Sequence, residues 1–424
     1  MELLIQGGHL IDPEANRDGR FDILVKDGIV AEVAPEIKRD GVTVIDVAGK
    51  YVMPGFIDLH VHLREPGLEY KETIATGSMA AAAGGFTSIC PMPNTKPSTD
   101  TPEKIRALLK KAETDSKVHI LPIGAISIGQ EGNTLADIAG MAEAGAVAVS
   151  EDGKSVMNSA LYAEGMKAAA EAGIPVFAHC EDIDLVRGGV MNAGLRAKEL
   201  GLPGITNAVE DIITARDIFL ARETGARLHL CHCSTKDSVK MIALAKEEGL
   251  LVTGETGPHY FTMTDSEIPE DFGNYKMNPP LRSEEDKEAL IRALQENVLE
   301  AIATDHAPHS KEEKEQSMRK APFGIVGSET AYALTVTELV RKGKLTMKEL
   351  VERMSSQPAK ILGIPKGSLQ PGMAADITIA DTDTSYVIDP DTFYSKGKNT
   401  PFAGKEVYGA IHYTLVDGVI VYQK

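Results

Sequence analysis

The chain of 424 residues is 43% hydrophobic and 25% charged, a composition typical of folded globular proteins and not of fibrous or disordered ones. Its net charge of -18 argues against nucleic acid or an anionic membrane as a partner, because both bind to basic faces. The sequence contains no apolar run of the roughly 18 residues that a membrane span needs. It also starts without a signal-peptide pattern, so we expect a cytoplasmic protein.

The two ends of the chain share one pattern. Residues 1–53 read as short strands that are rich in β-branched residues and separated by turns with Asp-Gly or Gly-Gly pairs. The same pattern returns in residues 365–424. We therefore predict a small β-sandwich domain built from both termini, with residues 54–364 forming a second domain between them.

The middle of the chain alternates apolar runs with helical stretches rich in Ala, Glu and Lys. Eight strand candidates occur at residues 56–62, 86–92, 118–123, 146–150, 175–179, 227–233, 251–255 and 301–305. Helical stretches separate them, for example at residues 73–83, 102–114, 159–172, 208–223 and 238–248. Eight β/α units predict an α/β protein with a (β/α)8 TIM barrel. A doubly wound open sheet is the alternative, but no GxGxxG opens a helix after an early strand.

Histidines and carboxylates are concentrated at the predicted strand ends. In a barrel of this kind the catalytic groups lie at the carboxyl ends of the strands, which form one ring. The candidates are His60 and His62 on the first strand, Glu151 and Asp152 after the fourth, His179 on the fifth, His232 on the sixth and Asp305 on the eighth. We therefore predict that these side chains meet at a metal site.

His60 and His62 have the spacing of two metal ligands on one strand. Residues i and i+2 share a face, about 6–7 Å apart, so two imidazoles can lean toward one ion at about 2.0–2.1 Å per bond. The whole set of candidates is too large for one catalytic ion that keeps a position open for water. It suits two divalent ions with a bridging carboxylate. Zinc fits the imidazoles and carboxylates best, with manganese and cobalt as alternatives.

Distinct motifs are spread along the chain. They are DLHVHLREPG (58–67), MPNTKP (92–97), AHCED (178–182), HLCHCST (229–235), KMNPPLR (276–282), ATDHAPHSKEEK (303–314), APFGIVGSE (321–329) and GSLQPGMAADITI (367–379). Together they resemble the amidohydrolase superfamily and, within it, the class I bacterial dihydroorotases. The resemblance covers essentially the whole chain and implies a metal-dependent hydrolase of cyclic amides.

The resemblance implies which residues hold the metals. His60, His62 and Asp305 would bind one zinc. His179 and His232 would bind the second.

The resemblance assigns the ligand that bridges the two metals less directly. Many members of the superfamily bridge the two ions with a carbamylated lysine on the fourth strand, but the segment AGAVAVSED (144–152) contains no lysine. In the class I bacterial group an aspartate just past that strand takes this place, which here is Asp152. Glu151 and a carbamylated Lys154 are the competing assignments.

The reaction implied by the resemblance is the reversible cyclisation of N-carbamoyl-L-aspartate to L-dihydroorotate in pyrimidine synthesis. In the hydrolytic direction, a hydroxide between the two metals would attack the ring carbonyl. Asp305 would take a proton from the attacking water and deliver it to the departing ring nitrogen. In the cyclisation the same carboxyl group would act the other way round.

Arg64 distinguishes this reaction from the hydrolysis of neutral cyclic amides. It lies two residues beyond His62 on the same face, and a guanidinium binds a carboxylate through a two-pronged contact. Dihydroorotate carries such a carboxylate. The resemblance adds further substrate contacts: Asn94 and His309 to the carboxylate, Asn278 with backbone groups of Phe323 and Gly324 to the ring amides, and His62 beside the metals.

Two other histidines and one charged segment have no obvious role. Strict alternation gives His229 the opposite face to His232, so we expect His229 to face the helices. His259 would lie near the mouth of the barrel. Residues 310–322 are mostly charged or small, so we predict a mobile segment near the site that is either merely solvated or acts as a lid.

Two alternative functions stay open. Hydantoinases, dihydropyrimidinases and allantoinases resemble the chain in the His-x-His pattern and the barrel, but they normally use the bridging lysine, and the first two do not need Arg64. A non-catalytic assembly partner of aspartate carbamoyltransferase would typically have lost metal ligands, which this chain retains. We expect a homodimer that acts on a small molecule, with association with aspartate carbamoyltransferase as an additional role.

Overall fold

A computed structural model describes residues 2–424. The chain begins with seven short strands: β1 (Glu2–Gln6), β2 (His9–Asp12), β3 (Arg17–Arg20), β4 (Asp22–Lys26), β5 (Ile29–Ala34), β6 (Thr43–Asp46) and β7 (Tyr51–Pro54). Four of them form a sheet in the order β5-β4-β1-β6. The prediction that the first segment consists of short strands is therefore confirmed.

The middle of the chain contains the strands of the barrel. All strands in this part of the chain belong to the barrel except one short separate pair. The strands are β8 (Phe56–Val61), β9 (Phe86–Pro91), β10 (His119–Ile120), β11 (Ile123–Ala125), β12 (Ala148–Ser150), β13 (Val176–Ala178), β14 (Met191–Asn192), β15 (Gly204–Ile205), β16 (Leu228–Leu230), β17 (Val252–Thr256) and β18 (Ala301–Ile302). The separate pair is β14 and β15, which bond only to each other. The third barrel strand is split into β10 and β11 at Pro122, which has no N–H to donate to a neighbouring strand.

The parallel strands close into a barrel. β10 pairs with β9 and β11 with β12, so the two pieces together fill the third of eight positions. A parallel bridge between Val61 and His306 joins the last position to the first. The N–H of His62 also donates to the carbonyl of His306 at 2.8 Å. The predicted (β/α)8 barrel is confirmed.

Helices connect the barrel strands and continue after the last of them. They are α1 (Ile74–Ala83), α2 (Pro102–Asp115), α3 (Ile138–Glu143), α4 (Ser159–Glu171), α5 (Ile183–Val186), α6 (Leu195–Glu199), α7 (Ala208–Thr224), α8 (Lys236–Glu247), α9 (Pro258–Thr262), α10 (Glu284–Gln295), α11 (Lys311–Lys314), α12 (Ala331–Thr335), α13 (Met347–Val351) and α14 (Gln357–Leu362). Two π-helical turns, Val336–Val340 and Glu352–Ser356, continue α12 and α13. Within residues 2–424, no helix is both long and apolar enough to span a membrane.

Local sequence signals explain where the long helices begin and end. The side chain of Thr73 accepts a hydrogen bond from the first turn of α1, and Thr101 does the same for α2 immediately before Pro102. Gly225 ends α7 with a positive φ of 70° that a glycine adopts without strain. The five predicted helices correspond to α1, α2, α4, α7 and α8, with ends that differ by at most a few residues.

The end of the chain returns to the β structure of its beginning. The last strands are β19 (Ile377–Val387), β20 (Glu406–Val416) and β21 (Val419–Gln423). They join three N-terminal strands in a sheet of order β21-β20-β19-β7-β2-β3. Leu10 and Val52 from the beginning pack with Ile377 and Leu415 from the end in one buried cluster. Both termini therefore build one β structure beside the barrel, as predicted.

Candidate metal centre and active site

The predicted ligands lie together at the carboxyl ends of the barrel strands. They are His60, His62, Asp152, His179, His232 and Asp305, and all are buried. The Oδ1 atom of Asp305 lies 3.1 Å from Nε2 of His62 and 3.5 Å from Nε2 of His60. Ligand atoms of these three residues lie within 4.8 Å of one another, which is a spacing that one ion can bridge.

Asp152 contacts every histidine of the group. Its Oδ1 atom lies 3.2 Å from Nε2 of His60 and 3.4 Å from Nδ1 of His179. The same oxygen is 3.6 Å from Nε2 of His232, and Oδ2 is 3.6 Å from Nε2 of His62. Asp152 therefore occupies the centre of the cluster, between the two sets of imidazoles.

Backbone irregularities aim these side chains into the site. Between Asp58 and Val61 strand β8 gains one residue relative to β9, a β-bulge of the kind often found beside active sites. His232 and Asp305 have positive φ values of 36° and 48°, which are unfavourable for residues other than glycine. The surrounding fold thus holds both ligands in conformations that an isolated strand would not adopt.

The surrounding imidazoles hold the two carboxyl groups of the cluster in their ionised form. Burial raises the pKa of Asp152, but His60 and the other imidazoles beside it outweigh burial and hold that pKa well below its usual range. Burial likewise raises the pKa of Asp305, and His60 and His62 again outweigh it and lower the pKa. Both carboxyl groups are therefore ionised, as ligands of a divalent ion must be.

One orphaned nitrogen gives an independent test of this interpretation. The Nε2 atom of His60 faces Asp152 and Asp305, is fully buried, and has no hydrogen-bond partner within the described chain. A buried polar atom left in this state costs free energy unless something binds it. Imidazole and carboxylate donors are the set that divalent transition metals prefer. The residues present therefore fit a divalent-metal site.

Glu255 and His229 support the cluster from inside the barrel. An Oε1 atom of Glu255 lies 3.4 Å from Nδ1 of His60, and its Oε2 atom lies 3.1 Å from Nε2 of His229. Burial raises the pKa of Glu255, but its contacts with His229 and His60 bring it down to about 2. An ionised carboxylate behind a ligand fixes the orientation of that imidazole.

The expectation that His229 faces the helices is wrong. Its ring lies 4.6 Å from that of Phe177 on the neighbouring strand, in the interior of the barrel. The inference assumed strict alternation up to His232, whereas the positive φ of His232 breaks the alternation and lets both histidines point inward. Glu255 was missed altogether, although its place at the end of the seventh strand was a usable signal.

Asn94 contacts two of the predicted metal ligands. Its Oδ1 atom lies 2.9 Å from Nδ1 of His62, and its Nδ2 donates to Asp152 at 3.2 Å. Arg64 is buried nearby, with a positive φ of 61°, and its Nε donates to the carbonyl of Pro308 at 3.2 Å. The predicted carboxylate-binding residues are thus brought next to the predicted metal ligands.

His309 and the segment after it complete this side of the site. The Nε2 atom of His309 lies 2.8 Å from the carbonyl oxygen of Phe323 and 3.4 Å from Nη2 of Arg64. The N–H of Gly324 donates to the carbonyl of Lys276 at 3.0 Å. The carbonyl of Phe323 and the N–H of Gly324 therefore already have partners inside the protein.

Asn278 is connected to the predicted metal ligand His179 through Glu181. Its Nδ2 donates to Oε1 of Glu181 at 2.9 Å, and Oε2 of Glu181 lies 3.1 Å from Nε2 of His179. Glu181 was not singled out from the sequence, although it lies two residues after His179, the spacing that keeps two side chains on one face.

The two competing candidates for the bridge point elsewhere. Glu151 accepts hydrogen bonds at 3.1 Å from the backbone N–H groups of Ile126 and Ser127. The Nζ atom of Lys154 donates to the carbonyl of Gln130 at 2.8 Å. Neither side chain contacts the histidines of the cluster, in contrast to Asp152.

The segment 310–322 is more tightly packed than its composition indicated. The Nζ atom of Lys314 is buried and donates to the carbonyls of Lys276, Pro322 and Gly324 at 3.1, 3.0 and 2.7 Å. Met318 is also fully buried. The segment is therefore anchored at two points, which charge patterning alone did not indicate.

The barrel and the ring of histidines and aspartates at its strand ends define the class of metal-dependent amidohydrolases. A family model described as "Dihydro-orotase-like" matches residues 49–238, and one described as "Amidohydrolase family" matches residues 325–422. The dihydroorotase of Acetivibrio thermocellus is 48% identical over 420 residues, which cover 99% of this chain and 98% of that protein. The dihydroorotase of Syntrophus aciditrophicus is 47% identical over the whole of both chains. The chain belongs to the dihydroorotase family.

Solved structures agree on the fold. The L-hydantoinase (dihydropyrimidinase) of Arthrobacter aurescens superposes with a TM-score of 0.90 at 31% identity, over 100% of this chain and 96% of that one. The dihydropyrimidinase of Brevibacillus agri superposes with a TM-score of 0.86 at 25% identity, over 100% and 95%. The expected resemblance to a metal-dependent cyclic amidohydrolase is thereby confirmed at the level of fold and enzyme class.

Proposed function

We propose that this chain is a dihydroorotase that interconverts N-carbamoyl-L-aspartate and L-dihydroorotate in pyrimidine biosynthesis. The observation that carries the proposal is the buried Arg64 and its neighbour His309, which lie beside the cluster of metal ligands. A buried cation next to a divalent-metal site requires an anion, because the like charges otherwise repel each other. Dihydroorotate supplies such an anion, because its ring carries a carboxylate.

We assign two zinc ions to the site, with manganese and cobalt as alternatives. His60, His62 and Asp305 would hold one ion, and His179 and His232 the other. Bound divalent ions would supply Lewis-acid chemistry, namely polarisation of the ring carbonyl and a lower pKa for a bound water molecule.

Asp152 is the proposed bridge between the two ions. It contacts all four histidines at 3.2 to 3.6 Å, whereas Glu151 and Lys154 have their own partners elsewhere. A carboxylate also bridges without the carbamylation that a lysine would need.

Asp305 is the proposed general acid and base. Its low pKa keeps it ionised, so it can accept the proton of the attacking water. It would then donate that proton to the ring nitrogen that leaves, and it would reverse both transfers in the cyclisation. Its Oδ1 atom lies 3.1 Å from Nε2 of His62, within the cluster of proposed ligands.

The remaining side chains bind and orient the substrate. Arg64, Asn94 and His309 would take the carboxylate, and Asn278 with the backbone of residues 323–324 would take the ring amides. His62 lies between the proposed carboxylate-binding residues and the proposed general acid and base, because Asn94 contacts its Nδ1 atom while Asp305 contacts its Nε2 atom.

Hydrolysis of L-dihydroorotate, followed by the loss of its ultraviolet absorbance, tests the proposal. 5-Substituted hydantoins and allantoin serve as competing substrates in the same assay. We expect a kcat/KM for L-dihydroorotate that exceeds both others. A preference for a hydantoin would contradict the assignment and favour the activity named for the structural relatives.

We also propose a domain organisation, a location and an assembly for the protein. We infer a β-sandwich domain of residues 1–53 and 365–424 and a catalytic barrel of residues 54–364, from the sheet that joins both termini. We further propose a cytoplasmic homodimer with association with aspartate carbamoyltransferase as an additional role. Size-exclusion chromatography with light scattering, with and without that enzyme, tests both assemblies.

A further inference from the structure

Lys71 is a buried cation beside the substrate side of the site, and the proposed reaction leaves it without a role. Its side chain is 11% exposed. Its Nζ atom lies 2.9 Å from Oε1 of Glu313 and 3.1 Å from Nδ1 of His309. One ammonium group therefore joins an acidic residue of α11 to the imidazole that faces Arg64.

These contacts determine where the proton of His309 lies. An ammonium group has donors only, so the Nδ1 atom that faces Lys71 must be an acceptor without a proton. A carbonyl oxygen is an acceptor only, so the Nε2 atom 2.8 Å from the carbonyl of Phe323 must carry the proton. Burial lowers the pKa of His309, and the charges of Arg64 and Lys71 lower it further. The ring is therefore neutral and protonated on Nε2.

Glu313 would favour the opposite arrangement. Its Oε2 atom lies 3.6 Å from the same Nδ1 atom of His309. A carboxylate beside a ring nitrogen attracts a proton to it. Lys71 prevents this because its ammonium group lies within hydrogen-bonding distance of both groups and neutralises the charge of Glu313.

The consequence is a pair of donors that face each other. With Nε2 protonated, His309 and the Nη2 atom of Arg64 are both donors, and the two nitrogens lie 3.4 Å apart. The proton on Nε2 is donated to the carbonyl of Phe323, so Nε2 cannot accept a hydrogen bond from Arg64, and the Nη2 donor of Arg64 stays available for a substrate carboxylate.

We propose that Lys71 is a positioning residue for the substrate's carboxylate site, which it prepares by holding His309 as the neutral tautomer protonated on Nε2. The inference rests on the proposed function for the identity of the carboxylate. The tautomer of His309 is a property of the free protein and does not depend on the proposed function.

Steady-state kinetics with L-dihydroorotate test the consequence for binding. Lys71→Met should raise KM about tenfold and change kcat less than about threefold, because the carboxylate contact is lost while the metal cluster is untouched. Lys71→Arg, which keeps the charge, should lie between the wild type and Lys71→Met. Lys366→Met is the matched control, because Lys366 is 17% exposed and pairs with Asp376 away from the site.

The tautomer itself is tested by nitrogen-15 NMR of the zinc-loaded full chain with labelled histidines. The signals of His309 are assigned by their absence in His309→Asn. In the wild type we expect a protonated Nε2 and a bare Nδ1. In Lys71→Met we expect protonation at Nδ1, and in Lys71→Met/Glu313→Gln a return toward the wild-type signature, because the competing carboxylate is gone.

The outcomes separate the two proposals. An unchanged His309 signature in Lys71→Met, or an increase in KM equal to that of Lys366→Met, overturns the role of Lys71 even when the wild type hydrolyses dihydroorotate. A wild type that does not hydrolyse dihydroorotate overturns the proposed function, while the NMR comparison still decides the tautomer.

Discussion

At the scale of single residues, the two central carboxylates differ in what surrounds them. Asp152 is in contact with all four histidines, whereas Asp305 contacts only His60 and His62. A carboxylate that is enclosed by ligands is suited to bridging, and one with fewer neighbours keeps an oxygen for proton transfer. Their different surroundings thus fit the two different tasks proposed for them.

Asp305→Asn should reduce kcat for dihydroorotate at least about a hundredfold, because an amide cannot accept the proton of the attacking water. Metal content measured on the same sample separates lost catalysis from lost binding. Asp237→Asn, on the exposed side of α8, is the control and should leave kcat unchanged. A variant Asp305→Asn that remains active with its metals bound would remove Asp305 from the acid–base role.

Asp152→Ala and Lys154→Met form a matched pair for the bridging ligand. We expect Asp152→Ala to bind fewer metal ions per chain and to lose nearly all activity, since the remaining histidines have lost their shared partner. Lys154→Met should keep both, because its Nζ atom only contacts the carbonyl of Gln130. Metal analysis after dialysis and the dihydroorotate assay measure the two effects, and the reverse pattern would favour a carbamylated lysine.

At the scale of elements, one of the two buried side chains that hold the segment 310–322 in place is the amine of Lys314. The carbonyls that Lys314 binds belong to Lys276, Pro322 and Gly324, so a single side chain ties α11 to the strand-end loops around the substrate. Burial lowers the pKa of Lys314 from 10.5 to about 7, and the nearby Lys276 adds to the effect. The Lys314 side chain that holds the segment in place is therefore also a titratable group.

Lys314→Met should lower the free energy of unfolding by about 1–3 kcal/mol, because buried carbonyls lose their donor. Between about pH 7 and pH 10.5 the unfolded chain binds more protons at this lysine than the folded chain does, so stability from this group rises with pH in that window. Urea unfolding at several pH values should show this rise in the wild type and its loss in Lys314→Met. Lys311→Met, at a side chain that is 73% exposed, is the control. Equal pH dependence in all three proteins would contradict the prediction.

At the scale of the whole molecule, the two ends of the chain stabilise each other. Leu415, near the C-terminus, is fully buried among residues of the first fifty or so positions, including Leu10 and Val52. Leu415→Ala should therefore lower the free energy of unfolding by about 2–5 kcal/mol. Val419→Ala, at a position that is 62% exposed in the same sheet, should change it by less than about 0.5 kcal/mol. Equal effects in urea unfolding would mean that the termini do not share a core.

The parts of the fold with strong periodicity could be predicted from the sequence. Runs of apolar residues located all eight barrel strands, and stretches rich in Ala, Glu and Lys located five of the helices between them. The predicted ligands came together because strand ends of a barrel meet in one ring. The face of His229 could not be predicted, because the positive φ of His232 depends on contacts made after the barrel has closed.

The sequence by itself predicted the class of the protein, because the alternation of strands and helices indicated the barrel and the strand ends carried the proposed metal ligands and Arg64. Only the tertiary structure decided how these groups act together. It placed Asp152 among four histidines, put Glu255 behind His60, and set Lys71 between Glu313 and His309. The physical reason is that periodicity encodes which face of its own element a side chain occupies, whereas hydrogen-bond partners distant in sequence are determined only when the elements pack.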